Sequence, residues 1–105
     1  MAQIIWTEPA LLDLNEIAEY IALDKFDAAQ RLIKLVFSRV EDLKRFPESG
    51  RKPPEIAKSR YREVIVGPCR VFYRVTGDKI IILYVMRGER QLRKFILSDR
   101  ESHNS

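Results

Sequence analysis

The stretch that decides the fold is YREVIVGPCRVFYRVTGDKIIILYVM, residues 61–86. Runs rich in Val, Ile, Tyr and Phe cover residues 61–66, 70–76 and 79–86, and Gly-Pro and Thr-Gly-Asp sequences separate them. Such runs between turn-forming residues are typical of strands joined as a meander. The third run, KIIILYVM, is apolar on both faces. It therefore predicts a central strand that is covered on both sides, for example by helices on one side and by a partner or a tail on the other.

Two amphipathic helices are predicted upstream of the meander. A short β-branched and aromatic run at residues 4–7 leads into residues 10–22, where apolar side chains recur every three or four positions. A second apolar stripe of this period covers residues 29–43, and a loop rich in Pro, Gly and charge follows at 47–58. The period is helical, so the two segments predict a helical hairpin. The resulting order, β-α-α-β-β-β, predicts an α+β fold with the hairpin packed on a small, mainly antiparallel sheet.

The C-terminal residues change character again. Residues 91–97, QLRKFIL, mix polar and apolar side chains, which fits a short helix or an edge strand. Residues 98–105 are polar, and we expect them to form a tail that frays. Because 105 residues suffice for one hydrophobic core, we expect a single domain over residues 1–97 followed by this tail.

The cysteine and histidine content disfavours several kinds of chemistry. Cys69 is the only cysteine, and His103, near the C-terminus, is the only histidine. A disulfide needs two cysteines, a zinc site needs three or four ligands, and a nucleophile-imidazole pair needs a rigidly held base. We therefore assign no catalytic residue, no metal site and no cofactor. The N-terminus, MAQIIWTEP, does not resemble a signal peptide and no apolar run is long enough to span a bilayer, so we expect a cytoplasmic protein without a membrane partner.

Basic charge is concentrated in the second half of the chain. The net charge of +4 is the sum of −2 for residues 1–46 and +6 for residues 47–105. This asymmetry favours an anionic partner, either a nucleic acid or an acidic protein segment. The candidate binding residues are arginines on or beside the strands and just after the third strand: Arg60, Arg62, Arg70, Arg87 and Arg90.

Strand alternation predicts where the strand arginines point. If the hairpin packs on the face of Val71, Tyr73 and Val75, alternation places the remaining side chains on an open face: Arg62, Arg70, Phe72 and Arg74. Guanidinium groups there can grip phosphates or carboxylates of a partner, or they can pair with acids of the chain itself such as Glu63 and Asp78. The sequence leaves both interpretations open.

Three segments, taken with the order of the elements, carry a resemblance to a known family. They are IIWTEPALLDLNEIAEYI at 4–21, FPESGRKPPE at 46–55 and GPCRVFYRVTGDKIIILYVMRGERQL at 67–92. The chain resembles the RelE/ParE superfamily of type II toxin-antitoxin toxins, most closely its ParE branch. The resemblance implies a compact toxin domain, a role in plasmid stabilization and a cognate ParD-like antitoxin that wraps the toxin and carries any binding of the complex to operator DNA. Which residues bind the antitoxin is unknown from the sequence.

The two branches of the superfamily imply different chemistry. RelE-like members cleave mRNA in the ribosomal A site with positioned acids and bases, whereas ParE-like members poison DNA gyrase, for which binding suffices. Basic candidates for cleavage exist in Lys52, Lys58, Arg62 and Arg87, but no Tyr follows Arg87. Arg87 also stands where ParE-like members commonly have His.

These features favour a non-enzymatic gyrase poison whose binding surface is the five arginines. The alternative is a metal-independent RelE-like endoribonuclease that uses Arg62 and Arg87 around the scissile phosphate and Tyr84 as the acid. A third interpretation is a homologue that has lost toxicity and only binds an antitoxin.

Overall fold

The meander at residues 61–86 forms three antiparallel strands in the computed structural model, which describes residues 2–103. The strands are β2 at Arg62–Val66, β3 at Cys69–Thr76 and β4 at Lys79–Arg87. The turns between them contain Gly67 and Gly77 at φ of 54° and 59°, a left-handed conformation that favours glycine. The N-terminal strand β1, Gln3–Trp6, lies parallel to β4. The strand order is β1-β4-β3-β2, so β4 is internal, as the sequence predicts.

The predicted helical hairpin is confirmed and covers one face of the sheet. It consists of α1, Glu8–Ala22, and α2, Phe26–Glu41. The Thr7 hydroxyl accepts the Ala10 N–H at 3.4 Å and donates to the Ile82 carbonyl at 2.7 Å, so the N-cap also ties α1 to β4. Side chains of both layers form the main core: Leu14, Leu32, Val36, Val64, Val71, Tyr73, Ile80, Ile82 and Val85. No helix within residues 2–103 is both long and apolar enough to cross a bilayer.

The opposite face of the sheet is covered by the C-terminal segment. Residues 96–103 form the helix α3, Ile96–His103, whereas the sequence predicts a fraying polar tail from residue 98. Leu97 is fully buried, and it packs in a second cluster with sheet residues: Tyr61, Phe72, Leu83 and Met86. Ion pairs of Glu101 with Arg60 and Arg74, and of Arg100 with Asp13 of α1, hold the polar part of the helix in place. Asn104 and Ser105 of the predicted tail lie outside the described residues.

A β-bulge in β4 determines which side of the sheet Arg87 faces. Phe72 pairs with Tyr84 but Tyr73 pairs with Ile82, so Leu83 is an extra residue on β4. Leu83 and Tyr84 consequently both belong to the cluster beneath α3, and the alternation after them is reversed. Arg87 therefore lies on the hairpin side of the sheet, next to α1.

Candidate functional site

An open cleft lies between α1 and the end of β4. Its volume is about 410 Å³, and it is lined by Asp13, Glu16, Ile17, Tyr20, Tyr84, Val85, Met86, Arg87 and Arg90. The Arg87 guanidinium stacks over the Tyr20 ring at 5.2 Å from its centroid, and its Nε lies 2.7 Å from a Glu89 carboxylate oxygen. Tyr20 is 62% exposed. Two of the five predicted arginines thus meet here with an exposed aromatic ring, an arrangement that suits an acidic partner with an apolar component.

Asp13, one of the two acids that line the cleft, is already bonded within the protein. The Asp13 carboxylate accepts two hydrogen bonds from the Arg100 guanidinium, at 2.9 and 3.1 Å, and one from the Val85 N–H at 3.1 Å. Arg100 also donates to the Leu83 carbonyl at 2.9 Å, next to the bulge. Asp13 therefore holds α1, β4 and α3 together.

Arg70 does not lie on an open face, contrary to the sequence expectation. It is 5% exposed, and Phe72 on the same face is fully buried, because α3 and the segment before it cover that side of the sheet. Its guanidinium binds both carboxylate oxygens of Glu55 at 2.8 Å and a Glu63 oxygen at 2.6 Å. The interpretation that a strand arginine pairs with Glu63 is confirmed here.

The Arg70 network also perturbs the titration of Glu55. Hydrogen bonds from Arg70 are the main reason that the pKa of Glu55 falls from 4.5 to about 2, although partial burial opposes the shift. The Leu92 N–H donates to the same carboxylate at 3.0 Å and contributes to the lowering. Glu55 was not singled out by the sequence. It is one of two acids in the loop at 47–58, and nothing in the loop indicates its partner on β3.

The other two predicted arginines lie away from the cleft. Arg62 donates to the Gly50 carbonyl at 2.8 Å and is in register with Tyr73 on the hairpin side of the sheet, not on the face predicted for it. Arg60 pairs with Glu101 at 2.8 Å and stacks on Tyr61. The register places Arg62 level with Tyr73 and Arg87 level with Cys69, four residues apart along β3, which is roughly 13 Å at about 3.3 Å per residue. The sequence set is therefore divided into the Arg87–Arg90 pair, a buried Arg70, and Arg60 and Arg62, which bind separate partners, Glu101 of α3 and the Gly50 carbonyl.

Glu101 of α3 is the centre of a cluster that the sequence did not predict. Its carboxylate accepts hydrogen bonds from Arg60, Tyr61 and Arg74, and these lower its pKa despite the opposing effect of burial. Burial and the bond to Glu101 raise the pKa of Tyr61. Arg74, expected on the open face, is thus paired beneath α3.

The tyrosines of the sheet have mainly packing roles. The Tyr73 hydroxyl donates to the Pro47 carbonyl at 2.8 Å and accepts the Gly50 N–H at 2.9 Å. The Tyr84 ring lies between Phe72, at 5.8 Å, and the Arg100 guanidinium, at 4.8 Å.

Burial raises the pKa of the Cys69 thiol to about 11, so this cysteine is protonated at neutral pH. Within residues 2–103, no group of three or more His, Cys, Asp or Glu side chains is arranged to hold a metal ion.

Comparisons with known proteins match one family model, two relatives and a solved structure. A family model described as the ParE toxin of the type II toxin-antitoxin system parDE matches residues 4–92. Toxin RelE2 of Caulobacter vibrioides is 33% identical over 92 residues, which cover 88% of this chain and all of that protein. The protein Y4kP of Sinorhizobium fredii is 37% identical over 89 residues, 85% of this chain and 91% of the relative. A solved structure titled "Chromosomal ParDE TA system from P. aeruginosa" has the same fold, with a TM-score of 0.73 at 24% identity over 85% of this chain and 98% of the other.

Proposed function

The chain belongs to the ParE toxin family of type II toxin-antitoxin systems, and on this premise we propose that it inhibits DNA gyrase by stabilising the DNA-cleavage complex. Such a poison needs a surface that binds the target but no acid or base of its own. The Arg87–Arg90 pair beside the exposed Tyr20 ring is the surface that best fits this requirement. Arg and Tyr are the residue types that most often dominate the binding energy of protein interfaces.

The separation of Arg62 from Arg87 is the observation that carries this proposal. A nuclease of the alternative kind needs both guanidinium groups at one phosphate, with Tyr84 as the acid. The two arginines lie on β2 and β4, with β3 between them, and their guanidinium groups have different contacts: Arg62 binds the Gly50 carbonyl, whereas Arg87 stacks on the Tyr20 ring. In this arrangement the two groups do not converge on a single phosphate. A binding surface at Arg87 and Arg90 has no such requirement.

One observation favours the endonuclease as a second candidate. Tyr84 and Arg87 line the same cleft as two carboxylates, Asp13 and Glu16, and the relative from Caulobacter vibrioides is named RelE2. In this alternative, Arg90 would have to take the place of Arg62 at the phosphate. Asp13 already accepts three hydrogen bonds, two from Arg100 and one from the Val85 N–H, so most of its acceptor sites are occupied by the protein itself.

We also propose a cognate ParD-like antitoxin as the cellular partner. Its toxin-binding segment is expected to be partly apolar and to carry acids that meet the basic second half of the chain. Tyr20, Leu23 and Phe26 are exposed apolar side chains at the hairpin turn, close to the cleft. Binding of the complex to operator DNA through the antitoxin, and a cytoplasmic location, complete the proposal.

The two candidate activities are separated by one pair of reactions. Antitoxin-free protein is incubated with gyrase, ATP and supercoiled plasmid, and linear DNA is measured after the complexes are denatured. In parallel, the protein is added to ribosomes programmed with mRNA. Linear plasmid with intact mRNA supports the gyrase proposal, whereas cut mRNA with intact plasmid establishes the alternative. If neither linear plasmid nor cut mRNA is formed, the result favours a homologue that has lost toxicity.

A further inference from the structure

The segment that carries Arg87 and Arg90 is held by side chains that do not line the cleft. We call residues 87–92 the arginine loop. Besides the strand pairing of Arg87 with Cys69, three backbone groups of the loop bind outside it: the Gly88 N–H donates to the Pro68 carbonyl at 2.7 Å, the Arg90 carbonyl accepts from Arg70 at 3.3 Å, and the Leu92 N–H donates to Glu55 at 3.0 Å. Two of these three bonds depend on the Glu55–Arg70 pair.

The Glu55–Arg70 pair is built to fix this geometry. Both oxygens of Glu55 face the Arg70 guanidinium in a bidentate arrangement, at 2.8 Å each, and the same Glu55 Oε2 accepts the Leu92 N–H. Arg70 is fixed in turn by Glu63, whose side chain is fully buried. Bidentate, charge-assisted pairs of this kind are strong and directional. They therefore orient the loop more tightly than the packing of the Leu92 side chain alone.

We infer that Glu55, through its own bond to the Leu92 N–H and through Arg70, is a positioning residue for target binding: it holds the arginine loop so that Arg87 and Arg90 project together into the cleft beside Tyr20. Arg70, predicted from the sequence as a contact residue, then acts without touching the target. Fixing the loop before binding reduces the entropy that is lost when two long side chains are ordered at an interface. The inference rests on the proposed function in that Arg87 and Arg90 are taken to be the target-binding pair.

The test compares Glu55→Ala with Glu101→Ala. Both substitutions remove an ion-paired carboxylate that contacts arginines of the sheet, but Glu101 has no contact with the arginine loop. Glu55→Ala leaves Arg70 paired with Glu63, so a folded protein is expected. Glu55→Gln, which keeps the side-chain volume, is the second variant if Glu55→Ala fails to fold.

The first measurement is hydrogen exchange at single amides. In the Glu55 variants, the Leu92 amide is expected to exchange about tenfold faster or more, because it loses a hydrogen bond to a charged acceptor. The amide of Val71, in the middle of β3, should exchange in the Glu55 variants at the same rate as in other variants of similar stability. In Glu101→Ala the Leu92 amide should keep its protection. Unchanged exchange at Leu92 in the Glu55 variants would overturn the inference.

The second measurement is the toxin concentration that gives half-maximal linear plasmid with gyrase. Glu55→Ala is expected to raise it about three- to tenfold, the effect of releasing one or two interface side chains, and Glu101→Ala should leave it near the wild-type value. If the Arg87→Ala/Arg90→Ala double variant loses activity but Glu55→Ala does not, the positioning inference is wrong and the gyrase proposal stands. If the wild-type protein gives no linear plasmid, the gyrase proposal fails, and exchange at Leu92 alone decides whether Glu55 holds the loop.

Discussion

Replacing Arg70 with Met is expected to lower the free energy of unfolding by about 3 to 5 kcal/mol, the usual cost of leaving a buried charge unpaired. The Glu63 side chain is 0% exposed, and Arg70 contacts it at 2.6 and 3.2 Å. After the substitution, its remaining ion-pair partner is Arg51 at 2.9 Å, whose side chain is 58% exposed and solvated. Because Arg51 remains largely in water, its contact with Glu63 stabilises the buried carboxylate less than the buried Arg70 guanidinium does.

The expected loss is large enough to read from thermal unfolding. With an unfolding entropy of about 2.1 cal/mol/K per residue, 105 residues convert 3 to 5 kcal/mol into a decrease in Tm of about 14 to 23 °C. Circular dichroism at pH 7 measures it, and urea unfolding gives the free energy independently. Because a neutral pair avoids the buried charge, the double variant Glu63→Leu/Arg70→Met should recover most of the loss. A single variant within about 1 kcal/mol of wild type, or a double variant no more stable than the single one, would refute this account of the network.

Three further predictions concern stability. The pKa of Glu55 is lowered from 4.5 to about 2 by folding, so its contribution is complete above about pH 5 and is lost as the pH falls toward 2. Between pH 6 and pH 3, the free energy of unfolding of the wild type should fall by about 1 to 2 kcal/mol more than that of Glu55→Gln, after allowance for solvent screening, and urea unfolding at both pH values measures this difference. Deletion of residues 98–105 removes the ion pairs of α3 with the sheet and α1 and should cost about 2 to 4 kcal/mol; an unchanged Tm would restore the prediction of a dispensable tail. Gly50→Ala places a Cβ against the Tyr73 hydroxyl and 2.7 Å from the Glu63 carbonyl oxygen, which should cost about 1 to 3 kcal/mol, whereas the exposed neighbour Ser49→Ala should be neutral in the same thermal scan.

The main elements of the fold were predictable because they depend on local patterns. Apolar residues at helical spacing identified both helices of the hairpin. Turn residues at Gly67 and Gly77 divided the meander into its three strands. Because β4 is apolar on both faces, the sequence also predicted that both sides of this strand are covered. The helical hairpin covers one side and the C-terminal segment covers the other.

The faces of the arginines were not predictable, because each depends on a feature without a local signal. Strict alternation fails at the bulge after Ile82, where one extra residue turns Arg87 toward α1. Arg62 lies on the hairpin face because its register aligns it with Tyr73, and the sequence does not specify this pairing.

The acids of the site were missed for a related reason. Asp13 and Arg100 are 87 residues apart in the sequence, and Glu55 and Arg70 are 15 apart. In an isolated sequence each acid has many possible partners, and a solvated position is the commoner one for a charged residue. The folded arrangement of α3 and the arginine loop is needed to identify which acids are paired.

The most direct test of the central claim is the yield of linear plasmid with gyrase as a function of toxin concentration, for three proteins. They are the wild type, Arg87→Ala/Arg90→Ala, and the control Arg31→Ala/Lys34→Ala, which removes two exposed charges from α2. We expect linear DNA with the wild type and the control, and at least a hundredfold loss of potency for Arg87→Ala/Arg90→Ala, as for two interface residues that cost about 1.4 kcal/mol or more each. Equal potency of all three proteins would contradict the account, because the Arg87–Arg90 surface would then not bind the target.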